Sequence, residues 1–249
     1  MNAARNAFVR ALDELWPRRC ESDGCGRRVD RPGRLICSAC FDAMPFAAGP
    51  ACMKCGRTFP GADSCEFTCE ACARARGHLD RACHAADYAG PLPALVKTFK
   101  YGNGWWLAPD LADMVEGAVR SRLPWREIDA VVPVPLHALR LRARGYNQAW
   151  LIASELAERL DRAALEHGLA RTRDTGHQAR LSRAERTENV KGVFAAERPE
   201  LVRGRTLLLV DDVSTTGSTL EDCARALKDA GAAQVWAAAV CSRAEGEAA

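Results

Sequence analysis

The stretch Leu207-Leu-Leu-Val-Asp-Asp-Val-Ser-Thr-Thr-Gly-Ser-Thr-Leu220 puts three kinds of chemistry next to one another. Leu207 to Val210 are four consecutive apolar residues, the pattern of a strand buried on both faces. Asp211 and Asp212 follow, where such a strand would leave the core. Ser214, Thr215, Thr216, Ser218 and Thr219 then surround Gly217. Leu220, Cys223, Ala224 and Leu227 recur at helical spacing, and Gly231 is a natural stop. A parallel strand, a hydroxyl-rich turn and a helix N-terminus make an anion site, because backbone N–H groups and the helix dipole converge there. Two acids beside it suit sugar hydroxyls, or a divalent cation between phosphates. A P-loop ATPase also ends a strand in acids, but the Gly-x-x-x-x-Gly-Lys-Ser/Thr loop it needs is absent. An ordinary turn capped by Ser or Thr explains the hydroxyls and leaves the adjacent acids without a reason.

Outward from this stretch, strands and helices alternate from about residue 80 to 241. His84–Ala89, Asp129–Pro135 and Gln234–Cys241 read as strands. The segments 93–101, 107–119 and 145–160 read as helices, with a short strand between 164 and 173 and a short helix at 182–190. That order predicts a mainly parallel α/β sheet with right-handed crossovers. Ligands of such sheets bind at the carboxyl ends of the strands, so the loops after Pro135 and Asp211 should share one rim.

Residues 17–77 have a different character. They are poor in apolar periodicity and rich in Cys, Gly and Arg, and cannot build an ordinary core. Ten of the twelve cysteines lie between Cys20 and Cys83. Such clustering, in a chain with no signal-peptide-like start and therefore expected to be cytoplasmic, favours metal over disulfides. The spacings are Cys20-x4-Cys25, Cys37-x2-Cys40, Cys52-x2-Cys55 and Cys69-x2-Cys72, with eleven residues between the pairs of the first unit and thirteen in the second. Each unit offers four thiolates for one structural Zn2+, with Gly26 and Gly56 easing the knuckle turns. Crossed pairing stays open, as does Cys65 in place of Cys69, or an iron–sulfur cluster on the same thiols. No His or carboxylate joins the pattern, which disfavours catalytic zinc. Residues 17–76 hold ten Arg and Lys against seven Asp and Glu. With eight thiolates and two Zn2+ the module carries a formal charge of −1, so its charge alone does not argue for tight DNA binding.

Two basic segments flank that expected rim. His137-Ala-Leu-Arg140-Leu-Arg142-Ala-Arg144 follows the Val131–Pro135 strand as a loop, with Gly145 opening the next helix. Planar guanidiniums at Arg140, Arg142 and Arg144 suit a diphosphate. The segment Arg171–Lys191, which includes Arg186, holds six cations and three acids and could close over a ligand. Lys100, at the end of an early helix, could reach an anion. The net charge of +3 does not by itself argue for nucleic acid, and no run of about 20 apolar residues offers a membrane span. Residues 1–16 read as an amphipathic helix and 242–249 as a frayed tail, leaving 17–78 as a Cys-rich module and 79–241 as an α/β domain.

The Asp211–Thr219 element resembles the phosphoribosyl-pyrophosphate (PRPP) motif of type I phosphoribosyltransferases. The whole series resembles the ComF/GntX family of phosphoribosyltransferase-like proteins. The paired cysteines, Phe99-Lys-Tyr-Gly102, Val132-Pro-Val-Pro-Leu136, Arg144-Gly-Tyr-Asn-Gln148, then Gln178, Leu181, Arg186, Asn189 and Phe194, and finally Val210–Gly217 carry that likeness. The wide Cys20–Cys25 spacing, Tyr146 where Phe is usual, and the extra Cys65 depart from it. The resemblance implies a double zinc ribbon before a type I phosphoribosyltransferase fold that binds PRPP or ribose 5-phosphate. Asp211 and Asp212 would hold ribose hydroxyls, directly or through Mg2+, and Ser214 to Thr219 the 5-phosphate. The segment Leu136–Arg144 would face pyrophosphate. Two functions are then expected. One is phosphoribosyl transfer to an unidentified acceptor, with no side chain marked as nucleophile or general base. The other is a non-catalytic role in DNA uptake and transformation, with the ribbons contacting partner proteins or single-stranded DNA and the PRPP site a sensor or relic.

Overall fold

The computed structural model describes residues 17–59, 66–75, 77–172 and 192–243. The expected helices at 1–16 and 182–190, Cys65 and most of the tail lie outside them.

Among the described residues, five parallel strands form the main sheet, in the order β3-β9-β8-β4-β5. These are β3 (Arg81–Asp87), β4 (Ala130–Pro133), β5 (Ala163–Ala164), β8 (Thr206–Ser214) and β9 (Gln234–Ser242). Two ribbon strands, β1 (Ala51–Cys52) and β2 (Glu66–Phe67), pair in parallel; β6 (Leu169–Arg171) and β7 (Phe194–Ala196) pair antiparallel. The helices are α1 (Ser38–Asp42), α2 (Glu70–Arg74), α3 (Leu92–Tyr101), α4 (Ala108–Arg122), α5 (Ala138–Arg144), α6 (Gln148–Leu160), α7 (Pro199–Val202) and α8 (Ser218–Asp229).

The strand sequences explain the layering. Alternate residues of a strand face opposite sides. Val131, Leu208, Val210, Trp236 and Ala238 join one apolar cluster with Leu111 and Val115 of α4 and Ile152 and Leu156 of α6. Ala130, Val132, Leu207, Leu209 and Val235 join another with Leu220, Cys223 and Leu227 of α8. Both faces are therefore covered, as continuous apolar strands in a parallel sheet require. Edge strand β3 is also covered. Ala47 N–H donates to the Ala85 carbonyl at 2.9 Å, and Ala82 N–H to that of Met53 at 2.8 Å, so chain from the Cys-rich module closes an edge that would otherwise offer free backbone groups.

Two expectations need correction. The basic segment after β4 is not a loop. It forms α5, with the His137 side chain accepting from Leu139 N–H at the N-cap, and Gly145 closes that helix in the left-handed region, φ 86°. The next helix starts at Gln148, capped by Asn147. In addition, β8 does not end at Val210. It continues through both acids to Ser214, in register with β9, where Asp211 pairs with Ala239 and Ser214 with Ser242.

Candidate functional site

The longer β8 sets the acids. Asp212 is 7% exposed, while Asp211 is half-buried. Asp212 Oδ1 lies 2.9 Å from Lys100 Nζ, and Asp211 Oδ1 accepts from Asp212 N–H at 2.8 Å. Burial, and then the neighbouring Asp212 charge, push the Asp211 carboxyl up to about 7. Burial disfavours the Lys100 ammonium, but Asp212 outweighs it and holds the lysine above its ordinary value. A crowded carboxylate pair with one resident cation suits a ligand that brings positive charge or hydroxyl donors, so the donor set fits Mg2+.

The hydroxyl turn follows. Thr216 Oγ1 lies 2.8 Å from Ser218 Oγ and accepts from Ser218 N–H at 3.3 Å. Gly217 sits at φ 76° as the N-cap of α8. A Cβ there would meet nothing within 4 Å, so backbone conformation alone favours glycine. Ser214 is buried, Thr215 exposed, and Thr216, Ser218 and Thr219 are partly exposed. The turn thus caps a twelve-residue helix at the carboxyl end of the central strand.

The end of α3 links the acids to α5. Lys100 meets Asp212, Tyr101 carries the Arg144 guanidinium 5.1 Å from its ring centroid, and the Tyr146 hydroxyl donates to the Phe99 carbonyl. Phe99-Lys-Tyr is therefore a joint between the acid pair and the basic helix. Arg140 and Arg144 are partly exposed and Arg142 is exposed. Arg186 lies outside the described residues. Sequence reasoning did not single out Arg171 within its basic segment. Its charge opposes the rise at Asp211, and its guanidinium lies 5.6 Å from the Phe194 ring centroid across the β6–β7 pair. Nor did it single out Glu221 and Asp222, whose only signal was two acids in a helix first turn.

The thiols gather in two groups, Cys20, Cys25, Cys37, Cys40 and Cys52, Cys55, Cys69, Cys72, with the sulfurs of each group within 4.8 Å of one another. This grouping follows the sequential pairing, not the crossed one. Cys25 and Cys37 Sγ are 3.9 Å apart, and Cys55 and Cys69 Sγ 4.0 Å. Zn–S bonds of about 2.3 Å in a tetrahedron put sulfurs about 3.8 Å apart, so both donor sets fit zinc, and these spacings are far too long for disulfides. The two groups share a detail: Cys37 N–H donates to Cys20 Sγ, and Cys69 N–H to Cys52 Sγ, both at 3.3 Å. They stabilise a thiolate differently. The Arg27 guanidinium, 3.2 Å from Cys25 Sγ, draws that thiol down to about 6. Burial opposes the Cys52 thiolate, but the amides of Cys69, Cys55 and Lys54 outweigh it, and it falls to about 7. His84, buried and driven towards its neutral form by desolvation, donates from Nε2 to the Cys55 carbonyl at 2.8 Å.

Comparison with known proteins agrees with both halves. Residues 11–73 match the double zinc ribbon domain and residues 146–249 the phosphoribosyl transferase domain. The chain is 33% identical over 208 residues to Competence protein F of Haemophilus influenzae, covering 81% of this chain and 88% of that one. It is 34% identical over 206 residues to DNA utilization protein YhgH of Escherichia coli K12, with the same coverage of each. Competence protein ComFC of Bacillus subtilis is 27% identical over 213 residues, covering 82% of both chains.

Proposed function

Since the chain belongs to the family of Competence protein F and YhgH, with a double zinc ribbon before a phosphoribosyltransferase domain, we propose that it binds PRPP and transfers its phosphoribosyl group to an unidentified acceptor. The observation that carries this reading is one strand end. Asp211, Asp212 and the hydroxyl turn sit consecutively at the carboxyl end of the central parallel strand, with Lys100 on Asp212. In this reading Asp211 and Asp212 hold the ribose hydroxyls. Ser214, Thr215, Thr216, Gly217, Ser218 and Thr219 receive the 5-phosphate at the α8 N-terminus. Lys100 exchanges Asp212 for the pyrophosphate as ligand enters, and Arg140, Arg142 and Arg144 on α5, with Arg186, supply further charge to it. The C1–O bond to pyrophosphate breaks through an oxocarbenium-like state and a bond from C1 to the acceptor forms, the acceptor losing a proton. Mg2+ on the acid pair would neutralise departing charge. The eight cysteines hold two structural zinc ions with no open coordination position.

The names of the relatives favour a second reading, a role in DNA uptake. There the ribbons contact partner proteins or single-stranded DNA, and PRPP is sensed instead of consumed. Among the described residues no helix is long and apolar enough to cross a membrane.

Titration of the full chain with PRPP and Mg2+ tests the site, and saturable binding is expected. Unchanged affinity in the Asp211→Asn, Asp212→Asn double variant would remove the assignment. Incubation with PRPP and cell extract separates the two readings. Released pyrophosphate together with a labelled acceptor supports transfer, whereas binding without either supports sensing.

A further inference from the structure

The hydroxyl turn has a second neighbour besides the acid pair. A cavity of about 500 Å³ separates it from the second ribbon, with Cys55, Cys69, His78, Thr216, Gly217 and Glu221 in its walls. Beside this cavity the first turn of α8 is tied to other parts of the chain by two consecutive acids. Consecutive helical residues point in different directions, so the two reach different segments.

Glu221 reaches the segment by which the second ribbon joins the sheet. Its Oε1 accepts from the His78 backbone N–H and lies 3.1 Å from His78 Nδ1, and its Oε2 accepts from Leu79 N–H at 3.4 Å. Gly77 permits this approach, since a Cβ there would lie 3.1 Å from Glu221 Oε1. Asp222 is buried and reaches the segment that enters β7. Its Oδ1 accepts from Gly192 N–H at 3.0 Å and its Oδ2 from Val193 N–H at 3.1 Å. Arg225 Nε also donates to Oδ1, at 3.0 Å. These partners lie in the ribbon exit, the β7 approach and α8 itself, and none lies in the hydroxyl turn. What the two acids fix is the pose of the helix whose N-terminus makes that turn. The direction of those N–H groups decides how well a phosphate is held, and tolerances for such donors are about half an ångström.

We infer that Glu221 is a positioning residue that couples the second zinc ribbon to the phosphate cradle. The inference rests on the reading of Ser214–Thr219 as a phosphate site. Coupling of this kind is reciprocal. A tightly seated ribbon improves phosphate binding, and phosphate binding steadies the ribbon's zinc.

The test uses the full-length, zinc-loaded chain with ribose 5-phosphate as probe and two readouts, its dissociation constant and the rate at which a chelator removes zinc. In the unaltered chain ribose 5-phosphate should slow the loss of one of the two zinc ions. Glu221→Ala should weaken ribose 5-phosphate by about fivefold or more, near the lower end of typical coupling between sites, and should abolish that protection. Glu221→Gln keeps an oxygen that can accept from His78 N–H and should recover part of both effects, which a general loss of stability would not give. Wild-type affinity and wild-type protection in Glu221→Ala would overturn the inference and leave the cradle reading standing. Failure of the unaltered chain to bind ribose 5-phosphate at all would overturn the cradle reading, and the inference with it.

Discussion

The two ribbons share a ligand pattern and a sulfur geometry but are seated by different physics. The first is held by charge. Arg31 Nη1 donates to Asp110 Oδ1 at 2.7 Å, and Arg34 donates to both oxygens of Asp113, at 2.6 and 2.8 Å. Arg159 from α6 meets Asp113 at 2.8 Å, so three guanidiniums converge on one α4 turn, because Arg31 also reaches Asp113. Ile36 and Met44 add apolar contact with the main core. The second ribbon is held mainly through backbone: the Met53 and Cys55 carbonyls on β3, and the His78 and Leu79 amides on Glu221. A charged seat on α4 makes the first ribbon a staple for the sheet. A seat beside the hydroxyl turn makes the second part of the wall of the candidate site.

The comparison can be broken at several levels. The largest effect should come from the metal. Cys37→Ser and Cys69→Ser should each lower zinc from about two to about one per chain. If the contrast holds, Cys37→Ser lowers the melting temperature more, and Cys69→Ser weakens ribose 5-phosphate binding more. Matching losses in the two variants would dissolve it. Next, Asp113→Ala leaves Arg34 without its carboxylate in a partly buried place and takes one acid each from Arg31 and Arg159, which keep Asp110 and Glu155, and chemical denaturation should show a loss of about 3 kcal/mol. Affinity for ribose 5-phosphate should not change.

A paired substitution comes third. Gly26 and Gly56 each follow the second cysteine of a knuckle, and both have positive φ, 59° and 71°. A Cβ at Gly26 would meet nothing within 4 Å, whereas one at Gly56 would lie 3.0 Å from the Ala82 carbonyl oxygen, Cys83 Cα and His84 Cδ2. Gly26→Ala should therefore cost only the left-handed backbone strain, about 1 kcal/mol. Gly56→Ala adds overpacking against β3 and should cost about 2–3 kcal/mol in the same denaturation measurement.

Much of this was legible in sequence because the patterns are local. Four apolar residues before two acids announce β8, and Cys spacings announce the ribbons. The knuckle glycines follow from the turn that two thiolates on one ion require. The parallel order follows from alternating strands and helices. Other features depend on distant residues. Nothing near Arg31 or Arg34 tells that their partners stand about eighty positions away on α4. Glu221 and Asp222 look like ordinary first-turn acids until His78 and Gly192 are brought to them. At α5 the cause is different. Ala138–Arg144 carries no buried residue, so apolar periodicity does not report a helix there, and Gly145, which closes α5, reads in sequence as the start of the next helix. β8 ran past its apolar run for a related reason: its last residues are held by β9, through Asp211–Ala239 and Val213–Cys241, not by their own hydrophobicity.

The smallest effect concerns pH and the charged seat alone. Asp110 is fully buried, accepts from Leu35 N–H at 2.8 Å and pairs with Arg31. Burial nevertheless dominates and raises its carboxyl to about 6. In the unfolded chain the same group titrates near 3.9. Between these values the folded state keeps a proton that the unfolded state has released. Stability from this group therefore falls as pH rises from about 4 to about 6, and the cost is complete above the folded value. The full change is on the order of 2–3 kcal/mol, with Arg31's opposition already contained in the folded value, and about 1 kcal/mol of it falls between pH 5 and pH 7. Asp110→Asn cannot release a proton. Its stability relative to the unaltered chain should rise between pH 5 and pH 7, measured by denaturant unfolding with zinc content checked at each pH. Asp110 and its partners Arg31 and Leu35 belong to the first ribbon's seat, so ribose 5-phosphate affinity in Asp110→Asn should follow that of the unaltered chain at every pH. A parallel change in affinity would mean that the first ribbon, too, is wired to the cradle.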